Sequence, residues 1–181
     1  PRGHILVMEG STVPTQQAFA ALGSTAANFG SDLDEFVALE GASCTNRSTT
    51  GLVQKTSVGG KAFWVNERYY NADVVISIGA LKTHAQAGVT GAVKNLGVGA
   101  TPASQYSAST STSDCSRDQY ASSSARSSYV DHTRQGLGQF VHDYYCIRPA
   151  DFALIDGLQG IQHGPAPQWV AGGNYNNDKM N

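Results

Sequence analysis

Three short apolar runs set the terms for the fold: Ile5-Leu6-Val7-Met8, Val74-Val75-Ile76-Ser77-Ile78 and Phe152-Ala153-Leu154-Ile155. Each has the length of a strand and the composition of one buried on both faces. Helical spacing fills the intervals between them. Pro14 and Thr15 open a helix over residues 16–29, where Phe19, Leu22 and Ala26 recur three and four apart and Gly30 supplies a stop. A second helix covers residues 133–145, with Leu137, Phe140, Val141 and Tyr144 on one stripe. Residues 36–39 and 63–65 read as shorter strands, and residues 41–61 as loop or weak hairpin. Strands alternating with helices, several apolar on both faces, predict an α/β fold: a mostly parallel sheet with helices on both faces.

At 181 residues the chain has the length of one domain, spanning residues 1–181. Residues 101–128 stand apart, with 11 Ser and 3 Thr among 28 positions. Such a segment buries too little apolar surface to offset its ordering entropy, so it reads as an excursion from the core. The first residues run straight into a core strand and the last, from Asn174 to Asn181, end no element, which reads as a fragment or a processed chain.

Charged residues make up only 14% of the chain and the net charge is −2. That balance leaves no excess of Lys and Arg to neutralise phosphates, which argues against a nucleic-acid binder. No apolar run approaches the roughly 20 residues of a spanning helix, so no membrane span is expected. Low charge, heavy Ser/Thr/Gly/Asn usage and the sequon Asn46-Arg47-Ser48 favour an extracytoplasmic or secreted location. Cys44, Cys115 and Cys146 have no CxxC spacing and cannot alone complete a four-ligand zinc site; Cys115 and Cys146 flank the serine-rich excursion and are candidates for a bond.

The segment after the strand at 74–78 carries the candidate chemistry. It reads Gly79-Ala80-Leu81-Lys82-Thr83-His84-Ala85-Gln86-Ala87-Gly88-Val89-Thr90-Gly91-Ala92-Val93-Lys94-Asn95-Leu96-Gly97 and places two lysines on either side of a histidine. In parallel α/β sheets ligands bind at the carboxyl ends of strands, and glycines let backbone N–H groups approach an anion. A short helix over residues 90–96 would turn Val89, Val93 and Leu96 inward and put Thr90 and Lys94 on another face at i, i+4 spacing. Lys94 follows Gly91 by three and precedes Asn95, so the phosphate loop GxxxxGK[ST] is absent. Pro102 breaks a dinucleotide fingerprint beginning at Gly97-Val98-Gly99. Neither GxSxG nor HExxH occurs. Asp32, Asp34 and Glu35 have the spacing of no calcium loop and read as a solvated turn.

Ala72-Asp73-Val74-Val75-Ile76-Ser77, then Leu81-Lys82-Thr83-His84, then Gly88-Val89-Thr90-Gly91-Ala92-Val93-Lys94-Asn95-Leu96 closely resembles the signature of the domain of unknown function 362 family. Gly3-His4-Ile5 through Glu9-Gly10-Ser11, His132 ahead of a helix, and Ile155-Asp156-Gly157 with Gly160 and Gly164-Pro165 fit the same pattern. The resemblance implies a domain that has one more strand before this start and continues past Asn181. Many members carry ferredoxin-type cysteine clusters; this chain has no such run, so an iron–sulfur role is not implied. His84-Ala85-Gln86-Ala87-Gly88-Val89-Thr90-Gly91-Ala92-Val93-Lys94 is also similar to a loop of the lactate racemase N-terminal domain, which binds a nickel-pincer nucleotide. That likeness implies Lys94 as the anchor of a ligand and His84 as an acid/base, although Ala92 stands where that family tends to have a glycine.

Two functional readings follow. In the first, His84 and Lys94 are catalytic and Lys82, Thr83, Thr90, Gly91, Asn95 and Asp156 bind a small anionic ligand, with or without a metal or cofactor. In the second, the protein is a non-catalytic secreted structural or assembly module that self-associates as a homo-oligomer. Asp156 has a competing local role at the turn before Gly157, and His132 with Asp131 a competing role as helix N-cap. His163 reads as a surface loop residue and His142 as structural.

Overall fold

A computed structural model describes residues 3–11, 14–40, 48–84, 86–106, 130, 135–161 and 179–180. The first strand, β1 (Leu6–Glu9), is followed by α1 (Thr15–Ala21) and α2 (Ala26–Phe29), a 3-10 turn at Gly30–Asp32, and β2 (Glu35–Ala38). β1 and β2 pair in parallel, from Leu6 opposite Glu35 to Glu9 opposite Ala38. The helix expected over residues 16–29 is broken in two because Gly23 adopts φ 66°. That left-handed residue ends α1 and lets the Ser24 N–H donate back to Phe19 O at 2.8 Å. The break lets Phe19 and Phe29 approach Phe36 from two sides, with ring centroids 5.1 and 5.3 Å away.

The second unit is a hairpin of β3 (Leu52–Thr56) and β4 (Ala62–Asn66), antiparallel throughout, and it leads into the single turn α3 (Glu67–Tyr70). Asn66 caps that turn by accepting from the N–H groups of Arg68 (2.9 Å) and Tyr69 (3.3 Å). Arg68 in turn grips Glu35 with both guanidinium nitrogens, at 2.6 and 2.8 Å, joining α3 to β2.

The third unit holds β5 (Ile76–His84), β6 (Gly88–Thr90), α4 (Ala92–Gly99), α5 (Ala103–Tyr106), α6 (Leu137–Tyr145), β7 (Phe152–Ile161) and β8 (Lys179–Met180), its four strands ordered β6-β5-β7-β8. β5 and β7 are parallel, whereas β5–β6 and β7–β8 are antiparallel. The protein is therefore α/β, but its sheets are small and mixed; one mostly parallel sheet with helices on both faces is not what forms. A polar clamp sets where β5 and β7 meet: Asp151 accepts from the Val75 N–H, and Arg148 spans Asp151 and Ala72 O at 2.8 and 2.9 Å.

The core gathers Leu39, Phe63, Val65, Tyr69, Val75, Ala100 and Val130 against the α6 stripe of Leu137, Phe140, Val141 and Tyr144. That stripe is buried as its spacing predicted. The strands are not. Ser77 is 1% exposed, while Ile76 and Ile78 on either side of it are 52% and 68% exposed. Register sets Ile76 beside Phe152 and Ile78 beside Leu154, and all four are exposed on one face of the sheet. On the opposite face α4 covers β5, where Ser77 Oγ donates to Ala92 O at 3.1 Å, while β7 stays exposed there too, with Ile155 50% exposed. Burial on both faces, expected from the apolar runs, thus fails for β5 and β7. The serine-rich excursion is described only through residue 106 and at Val130; Cys44, Cys115, Asp131, His132 and His163 also lie outside the described residues.

Helix α4 lies very close to α6. A Cβ built on Gly97 would sit 2.9 Å from Val141 Cγ1 and 3.0 Å from the Val141 backbone. Backbone cannot swing aside as a side-chain tip can, so Gly97→Ala is expected to cost about 2–3 kcal/mol through overpacking. Urea denaturation reads this as a lowered midpoint with an unchanged slope, while Gly99→Ala, whose Cβ meets only Asn95 Oδ1 at 3.9 Å, serves as the mild control.

Candidate functional site

β5 does not stop where its apolar run ends. It continues through Lys82 and Thr83 to His84, turns, and returns as β6 before α4 begins. The turn depends on Gly88, whose φ of 75° suits glycine alone among common residues. Across this small ladder Lys82 stands opposite Thr90, Thr83 opposite Val89 and His84 opposite Gly88. Thr90 is therefore a strand residue, and it meets Lys82 across the ladder instead of sharing a helix face with Lys94. Val89 and Val93, expected to face inward, are 55% and 48% exposed.

Gly91 caps α4 in an extended conformation, and a Cβ there would be 3.4 Å from Ile155 Cδ1. Asn95 is turned toward the strand, where its Nδ2 donates to Ile78 O at 3.2 Å. Together with the Ser77 contact this fixes the helix over β5, with its N-terminal N–H groups at the β6 end.

His84 is 5% exposed, and its Nδ1 accepts from the backbone N–H groups of Gln86 and Ala87, both at 3.2 Å. An imidazole accepting at Nδ1 carries its proton on Nε2, so the turn selects the neutral tautomer. Burial, then the nearby Lys94 and Lys82 ammonium groups, push its pKa down to about 4. Lys94 is pushed down to about 8, first by burial and then by Lys82. The effect of both lysines on His84, and of Lys82 on Lys94, puts the three groups in one electrostatic neighbourhood. No ion pair joins Lys82 or Lys94 to a carboxylate among the described residues. The Thr90 hydroxyl beside them is buried, and its Oγ1 has no hydrogen-bond partner.

A cleft of about 560 Å³ opens at the start of α4. Gly91 and Lys94 line it, along with Gln86, Val89, Ala92 and Val93, and α6 and β7 complete the wall with Leu137, Val141 and Ile155. Gln135, just before α6, also reaches the cleft. Lys82, His84 and Thr90 belong to the adjoining ladder and do not line the cleft. Asp156 is exposed, stands opposite Ala80 and accepts from the Leu158 N–H at 3.0 Å, the local turn role. The structure thus brings Lys82, His84, Thr90, Gly91 and Lys94 together, engages Asn95 with the strand backbone, and occupies Asp156 with a turn. Gln86 and Gln135 were not singled out from the sequence: glutamine in a loop carries no signal, and Gln135 arrives from an element about forty residues away.

Among the described residues no three His, Cys, Asp or Glu side chains converge to hold a metal ion. Cys146, at the end of α6, has its Sγ 3.7 Å from His142 Nε2. No helix among the described residues is long and apolar enough to cross a membrane.

These features define an α/β protein with a basic centre where a strand hairpin passes into a helix. Residues 2–171 match the model of the domain of unknown function family DUF362, and the chain belongs to that family. No curated protein and no solved structure matches it.

Holding Lys94 charged in this setting destabilises the fold. Its folded pKa of about 8 lies below the ordinary value of 10.5, so the stabilisation available to the neutral amine is present above 10.5 and is lost as pH falls to about 8. Lys94→Met is therefore expected to stabilise the protein by about 1–2 kcal/mol at pH 7. The gain should shrink as pH rises from about 8 toward 10.5, which thermal melts at pH 7 and pH 9.5 will read.

Proposed function

We propose that this centre binds a small anionic ligand bearing a carboxylate or phosphate, with the anion at Lys82 and Lys94 and the remainder of the ligand in the cleft. The observation that carries the reading is two lysines without carboxylate partners among the described residues, Lys82 close enough to lower the proton affinity of Lys94 and both close enough to lower that of His84. Unpaired positive charge in a partly dry site is unfavourable, and an anion is the group that relieves it. The N–H groups of Ala92, Val93 and Lys94 at the head of α4 add donors. The Thr90 hydroxyl supplies a buried polar group whose hydrogen bond is unmade in the free protein. His84 enters as a neutral imidazole with a proton on Nε2, which suits hydrogen-bond donation to the ligand at neutral pH. Its catalytic role, like that of Lys94, belongs to this proposal.

Anion binding must raise the depressed pKa of Lys94, so the protein takes up protons as it binds near pH 8. Titration calorimetry with acetate and with sulfate is expected to show binding that weakens as pH rises through about 8. The heat should also differ between buffers of different ionisation enthalpy. Lys82→Gln and Lys94→Gln should each weaken binding at least tenfold, about 1.4 kcal/mol. Affinity unchanged by both substitutions overturns the reading.

A second reading, an exported module that self-associates, draws on one specific observation: the exposed face of Ile76, Ile78, Phe152 and Leu154. An apolar patch of that kind is a common seat of protein contacts. Sedimentation equilibrium is expected to show a concentration-dependent dimer that Ile78→Glu returns to monomer; a monomer at every concentration overturns this reading.

A further inference from the structure

The anionic ligand has a second constraint, set by the difference between the two lysines. Lys94 lines the cleft directly, beside Val89 and Val93, with Leu137, Val141 and Ile155 across from it. The cleft lining around it is apolar apart from Gln86, Gln135 and the backbone of the helix start, while Lys82, His84 and Thr90 stand on the adjoining ladder. Among the described residues no hydrogen bond or ion pair engages the Lys94 ammonium group, and Lys82 adds a like charge nearby. A lysine placed in an apolar pocket next to a second cation is the arrangement that turns an ammonium group into a nucleophilic amine. Lys82, on the ladder, supplies the second amino group of the site.

We propose that Lys94 Nζ forms a Schiff base with a small 2-oxo carboxylic acid whose carboxylate is held by Lys82 and whose apolar side chain lies along Val89, Val93 and Ile155. This inference rests on the anion-binding reading above and deepens it by naming the ligand class. A 2-oxo acid carries a carboxylate and an electrophilic carbonyl on adjacent carbons, which matches two lysines side by side, one to hold the carboxylate and one to attack the carbonyl as its free amine. The Nζ lone pair attacks the carbonyl carbon and the C=O pair moves to oxygen. The resulting carbinolamine loses that oxygen as water, with both hydrogens supplied by the amine, and leaves C=N. No oxidant or other reactant is required. A cleft of about 560 Å³ exceeds what a three-carbon acid fills, so longer aliphatic 2-oxo acids should react better.

The test is reductive trapping of the intact protein. Pyruvate and 4-methyl-2-oxopentanoate are each added with sodium cyanoborohydride, which reduces the imine to a stable secondary amine, and the product is read by intact mass and peptide mapping. One adduct per chain is expected, at Lys94, among the five lysines of the sequence. The branched acid should label faster than pyruvate, and acetone, which lacks the carboxylate, at least tenfold more slowly. The rate should rise with pH through a midpoint near 8, and Lys82→Ala should move that midpoint upward. Lys94→Arg, which keeps the charge, should give no adduct while still binding acetate, showing that the fold and the anion site persist. Labelling spread over all lysines, or acetone reacting as fast as pyruvate, overturns the proposal. Acetate binding with Lys94 left unmodified overturns the covalent step alone. Absence of both binding and adduct overturns this inference together with the anion reading.

Discussion

The seating of α4 is the constraint on which the rest of the structure depends. The helix is held from two sides by contacts that tolerate little displacement. On one side the hydroxyl of Ser77 donates to Ala92 O and the amide of Asn95 donates to Ile78 O, tying strand and helix together. On the other side Gly97 lets the helix backbone pass against Val141 of α6, at a separation that any Cβ would violate. Close packing of this kind makes position a discrete property, because a dense interior resists small shifts. The head of α4 therefore lies at a fixed place beside the β5–β6 ladder, and Lys94 with it.

That placement creates the electrostatic character of the site. The chain is poor in charge, yet two of its five lysines meet at one corner with a buried histidine between them in sequence. His84 and Lys94 cost more in charged form there than in water, because burial strips their hydration and neighbouring lysines carry the same sign. The turn after His84 keeps the imidazole neutral by feeding two backbone N–H groups to Nδ1, and thereby limits the accumulated charge. That an anion would relieve this cost is the basis of the proposed binding role.

Much of the element order is legible in residue spacing. The α6 stripe of Leu137, Phe140, Val141 and Tyr144 follows from spacing alone, and those side chains form the centre of the core. Helix α4 and strands β1, β2, β4, β5 and β7 fall close to where the patterns put them. The departures have identifiable causes. Gly23 with positive φ divides the first helix, a property that glycine permits but does not announce. Apolar content in β5 and β7 suggested two buried faces, but composition carries no information about whether a layer covers the second one. The covered face turns on Ser77, a polar residue whose burial is satisfied by one specific carbonyl of α4. The site shows the same division. Lys82, His84 and Lys94 stand out by type and spacing, whereas Thr90 changes place because β5 runs on into a hairpin that the glycines near residue 88 only hinted at.

What the sequence by itself determined is the set of chemical groups and the local elements that carry them: the family signature between Lys82 and Asn95, the helical stripe, and the absence of nucleotide, metallopeptidase and iron–sulfur motifs. These depend on neighbours within a few residues, and short-range periodicity reports them directly. Only the tertiary structure decided that Lys94 faces a cleft completed by α6 and β7, that Asn95 and Asp156 are occupied by nearby backbone, and that the apolar face of Ile76, Ile78, Phe152 and Leu154 stays open. Those outcomes depend on contacts between residues tens of positions apart. Burial, and with it the proton affinity of every group in the site, is a property of that assembled environment and not of the side chain alone.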